Sequence, residues 1–112
     1  ILSGGENAYP EVLREALAAL DAVKDVAVIA YPDLEFGARL AAFVVLKEGY
    51  SSTSEEDLRL LLSAKLPRYQ MPGRIIRLAA LPRLENGKVA EGILREMMEV
   101  TAQAEERYED RA

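Results

Sequence analysis

Two stretches of this sequence hold residues suited to chemistry. The first is Leu81-Pro82-Arg83-Leu84-Glu85-Asn86-Gly87-Lys88, a turn with a lysine at its end. Asn-Gly is the strongest two-residue turn signal, because both residues tolerate φ > 0. Pro82 sets the direction in which the chain arrives, and apolar packing resumes at Val89. Lys88 therefore leaves a tight bend with its ammonium free to reach outward. Lysine is a compact point cation, suited to phosphate oxygens or to charge growing on a carboxyl or phosphoryl group. A solvated lysine beside a hairpin turn would show the same residues. The second stretch is Ser3-Gly4-Gly5-Glu6-Asn7. Adjacent glycines permit positive φ and let backbone N–H groups approach a ligand closely. Paired glycines are also common in plain turns.

Composition narrows what else is possible. The chain has neither cysteine nor histidine. That removes disulfides, thiolate metal sites, Ser-His and Cys-His catalysis and the commonest metal ligand. Chemistry is left to carboxylates, Lys, Arg, Tyr, Ser and backbone groups. A net charge of −5 argues against nucleic acid. The charge is uneven, however. Between Ser63 and Arg95 stand seven basic residues (Lys65, Arg68, Arg74, Arg77, Arg83, Lys88, Arg95) against two acidic ones, Glu85 and Glu91. A basic segment in an acidic chain suits an anionic small molecule or an acidic partner, and pairing with the acidic helices would also account for it. No apolar run is long enough to span a bilayer. The opening Ile1-Leu2-Ser3-Gly4 lacks Met and a basic start, so we expect a piece of a longer protein, no signal peptide and a cytoplasmic origin.

The elements that must position these stretches follow from periodicity. Half of the 112 residues are hydrophobic and 29% are charged, a globular composition with room for one core. Ile1 and Leu2 read as the end of a strand. Pro10 suits the first turn of a helix, and Leu13, Ala16, Leu17 and Leu20 form its apolar stripe. Asp21 to Asp25 break that pattern. Residues 26–31 read as a buried strand ended by Pro32-Asp33, and 40–46 as a second, central one. Thr53 with Glu56 reads as a capping box for a second helix, with Leu58, Leu61, Leu62 and Leu66 as its buried stripe. Residues 74–78 read as a short third strand. Val89, Ile93, Met97 and Val100 mark a last helix, with Gly92 as its weak point. The expected fold is α+β (α/β): a small three-stranded sheet flanked by about three helices, with a hairpin-like turn near residues 81–88. The expected domain covers 1–100, and 101–112 reads as a charged helical extension or frayed tail.

The pieces together resemble a known family. Ser3-Gly4-Gly5-Glu6-Asn7-Ala8-Tyr9-Pro10, Tyr31-Pro32-Asp33 with Gly37, Ala42-Phe43-Val44-Val45-Leu46, Tyr69 with Pro72, and Leu81-Pro82-Arg83 with Gly87-Lys88 occur in one order and spacing. Over about residues 1–96 this resembles the C-terminal lid domain of the adenylate-forming (ANL) superfamily, in its AMP-dependent acyl-CoA synthetase branch. The resemblance implies a two-step reaction. A carboxylate attacks the α-phosphate of ATP, giving acyl-adenylate and pyrophosphate; the lid then rotates, and the thiol of CoA displaces AMP. Lys88 matches the family's catalytic lysine of the first step, and acylating it would remove its charge and silence that step. Ser3, Gly4, Gly5, Glu6 and Asn7 match the loop that faces the CoA pantetheine arm in the second. The implied partner is the protein's own N-terminal adenylation domain, which would bind ATP, the carboxylic acid and most of the Mg2+. By itself the fragment is expected to be inactive. Two alternatives stand beside this: the lid of an adenylation enzyme acylating a carrier protein, and a stand-alone interaction module with the lid fold. The chain departs from the family's usual pattern at Ala38, Leu84, Glu91, Gly92, Val12 and Arg14. These departures bear on substrate and nucleotide contacts.

Overall fold

Pro10 opens the first helix because a first-turn residue needs no N–H partner. In the computed structural model, which describes residues 1–99, helix α1 spans Pro10–Ala18 with Glu11 in its first turn. Leu13 and Leu17 on its inner face are fully buried, and Leu20 just beyond its end is buried too. Burying each such leucine contributes about 1.5–3 kcal/mol. The backbone gathers into two compact units, Ile1–Leu81 and a second beginning at Pro82.

The first unit holds two sheets. A small antiparallel hairpin pairs β1 (Leu2–Ser3) with β2 (Glu6–Asn7). The larger sheet runs β3 (Val23–Asp33), β4 (Gly37–Leu46), β5 (Arg74–Arg77), with β4 in the centre. β3 and β4 are antiparallel from Val23↔Leu46 to Asp33↔Gly37, with a bulge between Val23 and Asp25. β4 and β5 are parallel, from Ala41↔Arg74 to Val44↔Arg77, so the sheet is mixed. The parallel step requires a crossover, and helix α2 (Glu55–Ser63) lies in it. Val26, Leu40, Ala42, Val44 and Ile75 form a single core with Leu13 and Leu17 of α1 and Leu58 and Leu62 of α2. Ala41, Phe43 and Val45 on the opposite face of β4 are buried as well, as expected for a central strand.

Several readings of the sequence shift. β3 begins at Val23 and runs through Pro32 and Asp33 rather than ending before them. Proline is tolerated there because β3 is an edge strand, where a missing N–H costs no ladder bond. The capping box of α2 is formed by Ser54 and Asp57 instead of Thr53 and Glu56, because Ser54 is the extended residue directly before the helix. Leu61 is exposed, so the buried stripe of α2 is Leu58 and Leu62 with Leu66 half-buried.

In the second unit, helix α3 covers 91–99 of the described residues. Leu94 and Met98 on it, and Ala90 just before it, are buried, one residue later than expected, and Ile93 is exposed. Val89 is taken up by a bridge to Arg83, so the helical phase starts after it. Val100 and the expected tail 101–112 lie outside the described residues. Among those described, no helix is long and apolar enough to cross a membrane.

Candidate functional site

The turn that carries Lys88 is built differently from a two-residue Asn-Gly hairpin. The Gly87 N–H donates to the Leu84 carbonyl at 2.9 Å, and the Leu84 N–H donates to the Lys88 carbonyl at 2.8 Å. Gly87 has φ +87°, whereas Asn86 does not enter the positive-φ region. That is a turn followed by one left-handed glycine and a bulge, a three-residue loop. The Asn86 side-chain oxygen accepts from the Lys88 N–H at 3.0 Å, and the Arg83 guanidinium donates to the Gly87 carbonyl at 2.9 Å. The turn is thus braced on both sides. Lys88 itself is exposed, and its ammonium pairs with no other described residue. A lysine carried on a braced turn, its ammonium unpaired among the described residues, can serve an external anion.

The glycine hairpin belongs to the first unit. Gly4 and Gly5 have φ +58° and +86°, the two left-handed positions of a two-residue turn. The Gly4 N–H donates to the Phe36 carbonyl at 3.1 Å, and a Cβ on Gly4 would come within 3.0 Å of the Phe36 ring. The loop carrying Phe36 is shaped by Asp33, whose carboxylate accepts the N–H groups of Glu35 and Phe36 at 2.9 and 2.8 Å. The Arg39 guanidinium stacks on the Phe36 ring, 4.9 Å from its centroid.

Between the hairpin and a short 3₁₀ turn (Arg68–Gln70) lies a cleft of about 440 Å³. Ser3, Gly4 and Glu6 line one side, Arg68, Tyr69 and Met71 the other, with Phe36 and Arg39 between. Of the loop residues singled out in the sequence, Ser3, Gly4 and Glu6 reach this cleft, while Gly5 and Asn7 are exposed outside its lining. Aromatic faces and guanidinium groups side by side suit a flat, anionic ligand.

Sequence reasoning missed Phe36, Arg39 and Met71 as cleft residues, and also Gln70. The Gln70 side chain is buried, with 2% exposure, and makes two hydrogen bonds to one residue. Its Oε1 accepts from the Tyr9 N–H at 2.9 Å and its Nε2 donates to the Tyr9 carbonyl at 2.7 Å. Nothing in the local pattern of Arg68-Tyr69-Gln70-Met71 marks that role. Behind the cleft, Arg59 ties α2 to the loop before β5 through the Pro72 and Gly73 carbonyls at 2.8 and 3.0 Å. Tyr31 packs over Gly73, where a Cβ would strike its hydroxyl, and burial pushes the Tyr31 phenol up. Among the described residues no group of three or more acidic side chains gathers as a metal site.

The profile of the AMP-binding enzyme C-terminal domain matches residues 14–88. A 2-succinylbenzoate–CoA ligase of Listeria monocytogenes is 38% identical over 96 residues, which is 86% of this chain and 20% of that protein. Among solved structures, a Mycobacterium tuberculosis fatty acyl CoA synthetase superposes with a TM-score of 0.78 at 36% identity, over 90% of this chain and 20% of that one. ATP-bound MatB from Rhodopseudomonas palustris gives 0.78 at 32% identity, over 87% and 19%. The chain therefore spans about a fifth of the length of the relatives it matches.

Proposed function

The chain belongs to the family of AMP-binding enzyme C-terminal domains, and from that premise we propose that it is the C-terminal part of an ATP-dependent, AMP-forming acyl-CoA synthetase. The observation that carries this reading is the braced Lys88 turn, whose exposed ammonium has no partner among the described residues. In the first step a carboxylate oxygen attacks the α-phosphorus of ATP and pyrophosphate leaves. Negative charge grows on the phosphoryl oxygens, and Lys88 supplies the compensating cation between them and the carboxylate. In the second step the CoA sulfur attacks the acyl carbon, the thiol proton is lost and AMP departs. Ser3 and Gly4 border the path of the pantetheine arm, where a missing side chain leaves it room. Arg39 and Arg68, with the rings of Phe36 and Tyr69, suit the nucleotide end of CoA. ATP, the carboxylic acid and any Mg2+ are held mainly by the protein's larger N-terminal part. A cytoplasmic setting fits these co-substrates.

The test is Lys88→Ala in the full-length protein. Pyrophosphate release from ATP and acid should fall by about 10²-fold or more, whereas thioester formation from preformed acyl-adenylate should persist. Survival of both half-reactions would remove Lys88 from the first step.

A further inference from the structure

We propose that Gln70 is a positioning residue whose side-chain amide holds the glycine hairpin against the 68–71 turn, so that the cleft between them is preformed for CoA. The inference rests on the reading of that cleft as the seat of CoA.

Gln70 is the one buried polar side chain among the described residues. Both ends of its amide are used, and both reach the same residue, Tyr9, 61 positions away. Two bonds between planar groups set orientation as well as distance. Tyr9 lies two residues beyond β2 and is the N-cap of α1, but no side chain caps that helix end. Without Gln70, the Tyr9 N–H would lose its partner at the base of the hairpin, where an unmade bond is costly. At the other end of the hairpin, the Gly4 N–H is fixed to the Phe36 carbonyl. The hairpin is therefore pinned at its tip and at its base. Gln70 makes the base pin, and its neighbours Arg68, Tyr69 and Met71 form the facing wall. Gln70 does not line the cleft. It acts by fixing how far apart the two walls stand, and a wall fixed before binding spares the ligand the cost of ordering it.

The experiment compares Gln70→Leu and Gln70→Asn with Ser54→Ala in the full-length protein. Gln70→Leu removes both bonds. Gln70→Asn is too short to make both, and it serves if the leucine variant fails to fold. Ser54→Ala removes the side-chain cap at the N-terminus of α2, none of whose residues lines the cleft, and controls for general destabilisation. Hydrogen exchange over residues 2–9 should accelerate at least tenfold in the Gln70 variants and stay unchanged in Ser54→Ala. In the CoA half-reaction, the KM for CoA should rise about tenfold in Gln70→Leu and about threefold in Gln70→Asn, with kcat and adenylate formation within twofold of the parent. Unchanged exchange in the Gln70 variants would overturn the inference. So would an unchanged KM for CoA in an active enzyme, or an equal rise in Ser54→Ala. A parent protein that forms no acyl-CoA would defeat the functional reading instead, and the exchange data would still decide the clamp.

Discussion

Gly4 shows how a single residue can be held to its identity by two independent constraints. Its φ of +58° favours glycine, and the space where a Cβ would stand is closed by the Phe36 ring. Left-handed backbone costs an ordinary residue roughly 1–2 kcal/mol. Gly4→Ala should therefore lower stability by about that amount and also shift the Phe36 wall of the cleft. Thermal melts, together with the KM for CoA in the full-length protein, check both effects. Gly5 has the same backbone demand but open space around it, so its substitution should carry only the backbone cost. Of these residues, the glycine pair and Lys88 were legible in the sequence because glycine and turn chemistry are local. Phe36, Arg39 and Gln70 were not. Their roles depend on which loop lies beside which, and that is settled by sheet register rather than by neighbours in sequence. At the Lys88 turn the signal was right and the geometry different: Asn86 serves through its side-chain oxygen rather than through positive φ.

At the level of elements, α2 offers the clearest electrostatic test. The Asp57 carboxylate accepts the Ser54 N–H, and the Ser54 hydroxyl accepts the Asp57 N–H. The Ser54 N–H first, and the Ser54 hydroxyl after it, hold the Asp57 carboxyl below the usual aspartate range. A group whose folded pKa is depressed adds stability above its unfolded pKa and loses it as pH falls through the folded value. Asp57→Asn should therefore melt below the parent at neutral pH, and the two should converge below about pH 4. A constant gap from pH 7 to 2.5 would contradict the capping role. The sequence pattern points to a capping box one residue early, at Thr53 and Glu56. Both Thr53-x-x-Glu56 and Ser54-x-x-Asp57 satisfy the pattern, and only the observed helix start separates them. The existence of both early helices and of all three main strands was readable, because their apolar periods are strong. Their ends were less so, as the extension of β3 through Pro32 shows.

For the molecule as a whole, charge is the governing feature. The chain is net negative, and two of the cleft residues, Arg39 and Arg68, are guanidinium groups. On the proposed reading, an anionic ligand is drawn to a small basic area against the sign of the chain as a whole. Raising ionic strength from about 0.05 to 0.5 M should weaken that attraction, because the Debye length shrinks several-fold. The KM for CoA should then climb, with little change in the KM for the carboxylic acid; equal shifts would argue against the cleft. The basic segment was visible in the sequence, whereas its meeting with Arg39 was not, since Arg39 lies on β4. The parallel pairing of β4 with β5 has one more consequence. The β3–β4 hairpin closes over a short loop, but β5 reaches its place only after the chain has travelled from Leu46 to Arg74. Contacts between distant segments pay a larger entropic toll and tend to form late. The segment 68–71 lies immediately before β5, so one wall of the cleft is set only when this last strand docks. During refolding, helix content should therefore return before any affinity for CoA does.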